Sequence, residues 1–280
     1  MSMKKYFQWL ISLIITFTAT LAFLIVFVRF LPLPQLQSVE AAEVSTIKTL
    51  DSFPTPKLQN PERILGPAGE IFEFSTCNRS DLGFTIANAQ IPAGAGPLPH
   101  IHHYTNEWFW TPQGNLELFQ SANEYPDLNK PATNDQSGRT TLYTLATSPN
   151  QVVYSPKYHV HGFVNTSSET RPLTFVWIRD QTSPPYPFND GGIREYFQEV
   201  GIPIKDIEKL PPITDEARQK FVTLAPKYGI NQSNYFLKYA SGVSSQPTAA
   251  LANLSNDQDL TKIIDAINAY NQGDQSVKCF

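Results

Sequence analysis

Gly94-Ala95-Gly96-Pro97-Leu98-Pro99-His100-Ile101-His102-His103-Tyr104-Thr105-Asn106-Glu107-Trp108-Phe109-Trp110 is the stretch on which the fold turns. It holds three of the five histidines; the other two, His159 and His161, lie in Pro156-Lys157-Tyr158-His159-Val160-His161-Gly162-Phe163-Val164-Asn165. Chemistry that needs an imidazole is therefore confined to these two stretches. In the first, Pro97 and Pro99 rule out a helix and favour an extended approach. Side chains two apart on a strand leave the same face, so His100 and His102 point together and His103 points away. Thr105-Asn106 reads as a turn, and Glu107 to Trp110 as an antiparallel return strand that carries Glu107 across to the two imidazoles. Neutral imidazole with one carboxylate is a ligand set suited to divalent first-row metals. In the second stretch the same period of two puts His159 and His161 on one face, and spacing does not choose between them.

These two stretches resemble the paired motifs of the cupin superfamily. The first matches at Gly94, His100, His102, Glu107 and Gly114; the second matches at Pro156, His161 and Asn165. It departs from the family at Tyr158 and Asn150, where the family usually has glycine. The resemblance covers about Arg63 to Ile204 and implies a small double-stranded β-helix, or jelly-roll, barrel with its metal inside. It also implies ligands at His100, His102, Glu107 and His161, with His103 and His159 outside the direct ligands. Within the superfamily, Pro97 to Phe109 and the run Gly192-Ile193-Arg194-Glu195-Tyr196-Phe197 are similar to single-domain quercetin-dioxygenase-like proteins.

Outward from the motifs, short strand-like segments recur: Glu70 to Thr76, Phe84 to Ile91, Leu116 to Gln120, Thr140 to Ala146, Gln151 to Ser155, His159 to Asn165 and Leu173 to Arg179. Such a series argues for a mainly β antiparallel sandwich or barrel. The polar stretch from Ser121 to Arg139 reads as an excursion between strands. After Gly192 the period changes. Helices are expected at Ile193 to Val200, from an N-cap at Thr214 to Gly229, and from Asp257 to Asn271. The expected organisation is an N-terminal apolar segment (1–31), a linker (32–60), the barrel (61–205) and a helical C-terminal extension (206–280).

Phe7 to Leu31 is an apolar run of roughly 25 residues, long enough to span a bilayer. Lys4 and Lys5 before it favour a cytosolic N-terminus and an exported body. The expectation is a membrane anchor on the non-cytoplasmic face; Val39-Glu40-Ala41 is the competing cleavage site that would release a secreted or periplasmic body. Cys77 and Cys279 either pair in an oxidising compartment or remain a buried small thiol and a free tail cysteine. A net charge of −4 with interspersed signs gives no basic stripe and argues against nucleic acid as a partner.

The functional expectation is one divalent transition metal, with iron, manganese, nickel, cobalt, copper and zinc all compatible with the ligands. The resemblance implies an oxidoreductase of dioxygenase type acting on an aromatic or enolic small molecule, with dioxygen as co-substrate and Glu107 as both ligand and catalytic base. Phe109, Phe163, Phe175 and Trp177 are expected in an apolar pocket or in ordinary barrel core, and His159 in support of the ligands. Alternatives are a metal-dependent isomerase, lyase or decarboxylase on a small hydroxy- or keto-acid, and a non-catalytic module that binds a metal or small ligand. A homodimer is left open.

Overall fold

The computed structural model describes residues 48–130, 142–179, 190–232 and 256–280. The apolar segment 1–31, residues 32–47 and the connection 241–247 lie outside them. Among the described residues no helix is long and apolar enough to cross a membrane.

Strands β1 (Glu62–Leu65), β2 (Ile71–Arg79), β3 (Leu82–Ile91), β4 (His100–His102), β5 (Thr105–Thr111) and β6 (Leu116–Glu124) come first. β7 (Leu142–Ala146), β8 (Gln151–Ser155), β9 (His159–Asn165) and β10 (Arg171–Arg179) follow, then helix α1 (Ile193–Val200) and β11 (Ile202–Pro203). Helix α2 (Asp215–Thr223), β12 (Ile230–Gln232), helix α3 (Asp257–Asn271) and β13 (Lys278–Cys279) complete the chain. Among the described residues they form two antiparallel sheets, ordered β11-β1-β2-β3-β10-β5-β8 and β12-β4-β9-β6-β7, with β13 added to β2. The architecture is mainly β, as the spacing of short strands requires.

The centre of the first sheet, β3, β10 and β5, is buried on both sides, so these strands carry buried residues on both faces. The sheet's inner face contributes Phe72, Phe74, Phe109, Phe175 and Trp177 to the barrel core. On its outer face Phe84, Trp108, Val176 and Ile178 pack with Leu260, Ile263 and Ile267, the apolar stripe of α3. The end of the expected linker joins this outer layer and is not free. Phe53 is buried there, Val152 N–H donates to Lys48 O (2.9 Å), and Trp110 Nε1–H donates to Leu50 O (3.0 Å). Two apolar side chains, Leu50 and Phe53, give this segment something to bury, and that is what docks it.

Three local expectations are corrected. First, β4 and β5 do not pair as a hairpin. β4 pairs with β9 and β12, while β5 pairs with β10 and β8 in the other sheet. His103-Tyr104 is thus a corner between sheets, held by His103 N–H donating to Gly229 O (2.8 Å). Second, β6 continues through Ser121 to Glu124, with an irregular register after Gln120. Third, α2 ends at Thr223 rather than Gly229. Pro226 has no N–H for an α-helical bond, so the chain tightens into a 3-10 turn over Ala225–Tyr228 and stops at Gly229, φ +70°. The cap at Thr214 is present, its side chain accepting from Ala217 N–H (3.1 Å).

The two motifs are stitched together at their ends. Gly94 N–H donates to Asn165 O (2.8 Å), Asn165 N–H to Ala95 O (2.9 Å), and the Asn165 amide to Ile91 O (2.8 Å) and Glu169 O (2.8 Å). Gly96 lies so close to β9 that a Cβ there would sit 2.0 Å from Phe163 O. The obstacle is backbone, so the strand itself has to move. Gly96→Ala is therefore expected to cost about 1–3 kcal/mol or more, the range of overpacked cores. Urea unfolding checks it, and an unchanged midpoint refutes the close approach.

Candidate metal centre

The corner between β4 and β5 brings the inner faces of opposite sheets together. His100 and His102 arrive on β4, His161 on the adjacent β9 directly across from His100, and Glu107 from β5 in the facing sheet. The structure thus unites the four residues that the cupin resemblance implies, and their ligand atoms all lie within 4.8 Å of one another. That span is close to the roughly 4 Å between opposite ligands of one first-row ion with bonds of about 2.0–2.2 Å.

Glu107 is buried, and one of its oxygens, Oε2, lies 2.9 Å from His161 Nε2 and 3.3 Å from His102 Nε2. The far nitrogens are committed elsewhere. His161 Nδ1 donates to His159 O (3.0 Å) and His100 Nδ1 donates to Leu98 O (2.8 Å), since a carbonyl can only accept. These bonds leave Nε2 of both rings as the atom available to a metal. The donor set therefore fits a divalent ion.

His159 does not join the cluster. Its Nδ1 bonds Ser121 O (2.8 Å) and its Nε2 lies 3.6 Å from Glu124; its contribution to the centre is the backbone carbonyl that orients His161. His103 faces away, with Nε2 3.2 Å from the Asn231 amide. Tyr158 and Asn150, where the family usually has glycine, both hold positive φ, +71° and +66°. The backbone keeps the conformation that glycine normally supplies, at a cost of order 1–2 kcal/mol for a side chain such as Tyr. At Tyr158 two backbone bonds hold it there: its N–H donates to His102 O (2.9 Å) and its O accepts from Tyr125 N–H (2.7 Å).

Burial pushes His100 well below the ordinary histidine value, helped by the neighbouring His161 and His102, and it lowers His102 as well. Burial also lowers His103, to about 4. For Glu107 burial acts upward, but hydrogen bonds to His102 and His161 outweigh it and hold the carboxyl at about 2. A carboxylate held so low is a weak base, which favours its role as a ligand.

The sign of the pH dependence follows. Below pH 6.5 the unfolded chain takes up protons that the folded imidazoles refuse, so folded stability falls as pH drops from 6.5 toward their lowered values. Glu107 adds a further loss between 4.5 and about 2. The metal-free protein should show a flat urea midpoint above pH 6.5 and a falling one below it. A midpoint unchanged down to pH 5 would contradict this assignment.

A cavity of about 530 Å³ opens onto His100, His102 and Glu107. Its walls include Phe72, Phe109, Phe163, Phe175 and Trp177, so the aromatic residues near the motifs line a pocket while also forming core. Helices α1 and α2 close one side through Tyr196, Phe197 and Phe221, and Tyr196 OH ties the helices together by donating to Phe221 O (2.7 Å). Arg218 on α2, Gln232 on β12 and the buried Glu70 supply polar lining that sequence reasoning missed. They are remote from both motifs, and no local pattern marks them.

No protein-family model matches the chain, and no curated protein does. Solved structures with some likeness include the cupin domain of Schizosaccharomyces pombe Cnp3, at 17% identity and TM-score 0.28, covering 39% of this chain and 61% of that one. KdgF from Halomonas sp. is 15% identical at TM-score 0.28, covering 46% and 96%. An oxalate oxidase in complex with the substrate analogue glycolate is 14% identical at TM-score 0.27, covering 50% and 62%. The match thus spans about three fifths of the Cnp3 and oxalate oxidase chains. Two antiparallel sheets with both motifs meeting in one cluster between them are the arrangement that the cupin resemblance implies.

Proposed function

We propose that His100, His102, Glu107 and His161 hold one divalent transition-metal ion, and that the protein is an oxidoreductase of dioxygenase type acting on an aromatic or enolic small molecule. One observation carries the metal. His161 spends its Nδ1 proton on a carbonyl and aims Nε2 at a carboxylate oxygen 2.9 Å away. In the metal-free protein a proton between the two atoms makes this contact a hydrogen bond, and a metal ion that displaced the proton would be held by the same two lone pairs. Such an ion, when bound, supplies Lewis acidity and, if redox-active, the electron transfer that dioxygen chemistry needs.

The chain's own residues support the rest of the reading. The aromatic walls fit a flat ring and give the cluster an apolar surround. Glu107 neutralises part of the ion's charge, and it can take a substrate proton only once its bonds to His102 and His161 loosen. Arg218 favours a second reading. A guanidinium in the cavity lining suits a carboxylate substrate, hence an isomerase, lyase or decarboxylase of a small hydroxy- or keto-acid.

Elemental analysis of the full-length chain, followed by oxygen-uptake assays with flavonols and other enols, tests both. About one metal per chain with oxygen consumption supports the dioxygenase. Turnover of a hydroxy- or keto-acid without oxygen supports the second reading, and tight metal binding without turnover makes the protein a binding module. We further propose an exported body. The Cys77–Cys279 disulfide supports it, because such bonds persist in oxidising compartments.

A further inference from the structure

Strand β12 brings a polar side chain to the cluster from outside both motifs. It follows α2 and the 3-10 turn, beyond the Arg63 to Ile204 range of the cupin resemblance, and adds itself to β4 as an edge strand. Its register sets Ile230 opposite His102, Asn231 opposite Ile101 and Gln232 opposite His100. Directly opposed residues of an antiparallel pair share a face of the sheet. Asn231 therefore shares the outward side with His103, and its amide lies 3.2 Å from His103 Nε2 and donates to Leu128 O (2.6 Å). Ile230 and Gln232 share the inward side with His102 and His100, and all four line the cavity. Gln232 is partly exposed, so the cavity reaches it.

The amide of Gln232 is oriented by its one contact. Phe221 O can only accept, so Nε2 is the arm turned toward it, at 3.4 Å. That bond is long, and the same carbonyl already accepts from Tyr196 OH at 2.7 Å. Among the described residues the other arm, Oε1, accepts no hydrogen bond. A strand residue beside a candidate metal ligand thus holds a neutral acceptor ready at the wall of an aromatic cavity. A few placed polar groups in an apolar pocket are what fix a ligand's orientation.

We infer that the side-chain oxygen of Gln232 accepts a hydrogen bond from a hydroxyl of the cavity's ligand, an aromatic molecule that carries this hydroxyl next to the oxygen it offers to the metal. This gives Gln232 a specificity role, and it rests on the reading of the cavity as the substrate site.

The test uses the full-length chain, zinc-loaded and metal-free, with two probes. Catechol carries adjacent hydroxyls; 2-methylphenol has nearly the same shape with a methyl in place of one of them. Zinc is chosen because it has no redox chemistry of its own. Gln232→Met, unbranched and of similar length, should lower the preference for catechol over 2-methylphenol by about three- to tenfold, the worth of one neutral hydrogen bond. An unchanged preference overturns the inference, because any loss common to both probes is one of shape. Should the variant not fold, a crystal structure of the wild-type zinc protein with catechol decides. A catechol oxygen within about 3.2 Å of Gln232 Oε1 upholds the assignment, and catechol bound elsewhere overturns it. A wild-type chain that binds neither phenol overturns it together with the reading of the cavity. A chain that takes up no zinc yet keeps the Gln232-dependent preference defeats the metal reading and leaves Gln232 in place.

Discussion

Replacing His161 by Ala removes stoichiometric metal from the protein, whereas replacing His159 by Ala leaves it in place. The two residues share a strand face and are two positions apart, so sequence spacing treats them alike. The fold does not. His161 stands across from His100 and 2.9 Å from Glu107, while the His159 ring is occupied with Ser121 O and Glu124. Partners that merely orient a ligand are worth about 10–100-fold in affinity, so loss of a ligand should weaken zinc binding by at least about 100-fold. His159→Ala should stay within about tenfold, since the backbone carbonyl that orients His161 survives the change. Zinc titration against a competing chelator reads both. Circular dichroism of each variant separates loss of metal from loss of fold. A His161→Ala protein that is folded and still holds one zinc would remove this residue from the centre, and the proposed chemistry with it.

Most strands, the three helices and the four converging side chains were legible because each depends on local period or on a motif of fixed spacing, whereas the short strands β1, β12 and β13 carry no such signal. Asp257 to Asn271 is an example, since its i, i+3, i+4, i+7 stripe is enough to define both the helix and its buried face. The sheet partners of β4 and β5 were not legible. Two strands joined by a short turn look the same in sequence whether they pair or diverge at a corner, and only non-local ladders with β9, β12, β10 and β8 decide it. Misreading the corner did not misplace Glu107, because alternation still fixed which side chains face inward. The cavity shows the same limit. Phe109 and Trp177 sit on strands whose inner face was predictable, but Arg218 and Phe221 reach the site through the packing of α2 across the barrel. No spacing rule spans that distance.

Reduction of the Cys77–Cys279 disulfide, or Cys279→Ser, should lower the stability of the metal-free protein by about 2–4 kcal/mol. The bond joins β2 to β13 across a sequence separation of 202, so it closes a loop that contains β3 to β12 and all three helices. Cross-linking so distant a pair restricts the unfolded chain far more than the folded one, and the effect grows with loop length. The folded state also has few other ties to the tail. β13 contributes a two-residue ladder to β2, with Phe280 N–H donating to Thr76 O (3.0 Å) and Thr76 N–H to Phe280 O (2.9 Å). Ser at 279 is the cleaner substitution, because it leaves the fully buried Cys77 in place as a small apolar filler. Metal must be absent during the measurement, since a ligand that binds only the folded state would add its own stabilisation and mask the difference. Urea unfolding of the oxidised, reduced and Cys279→Ser forms should place the last two together, below the first. Coincident midpoints for all three would mean that the tail is already fixed by Val277 and the α3 packing, and that the disulfide adds nothing the ladder does not.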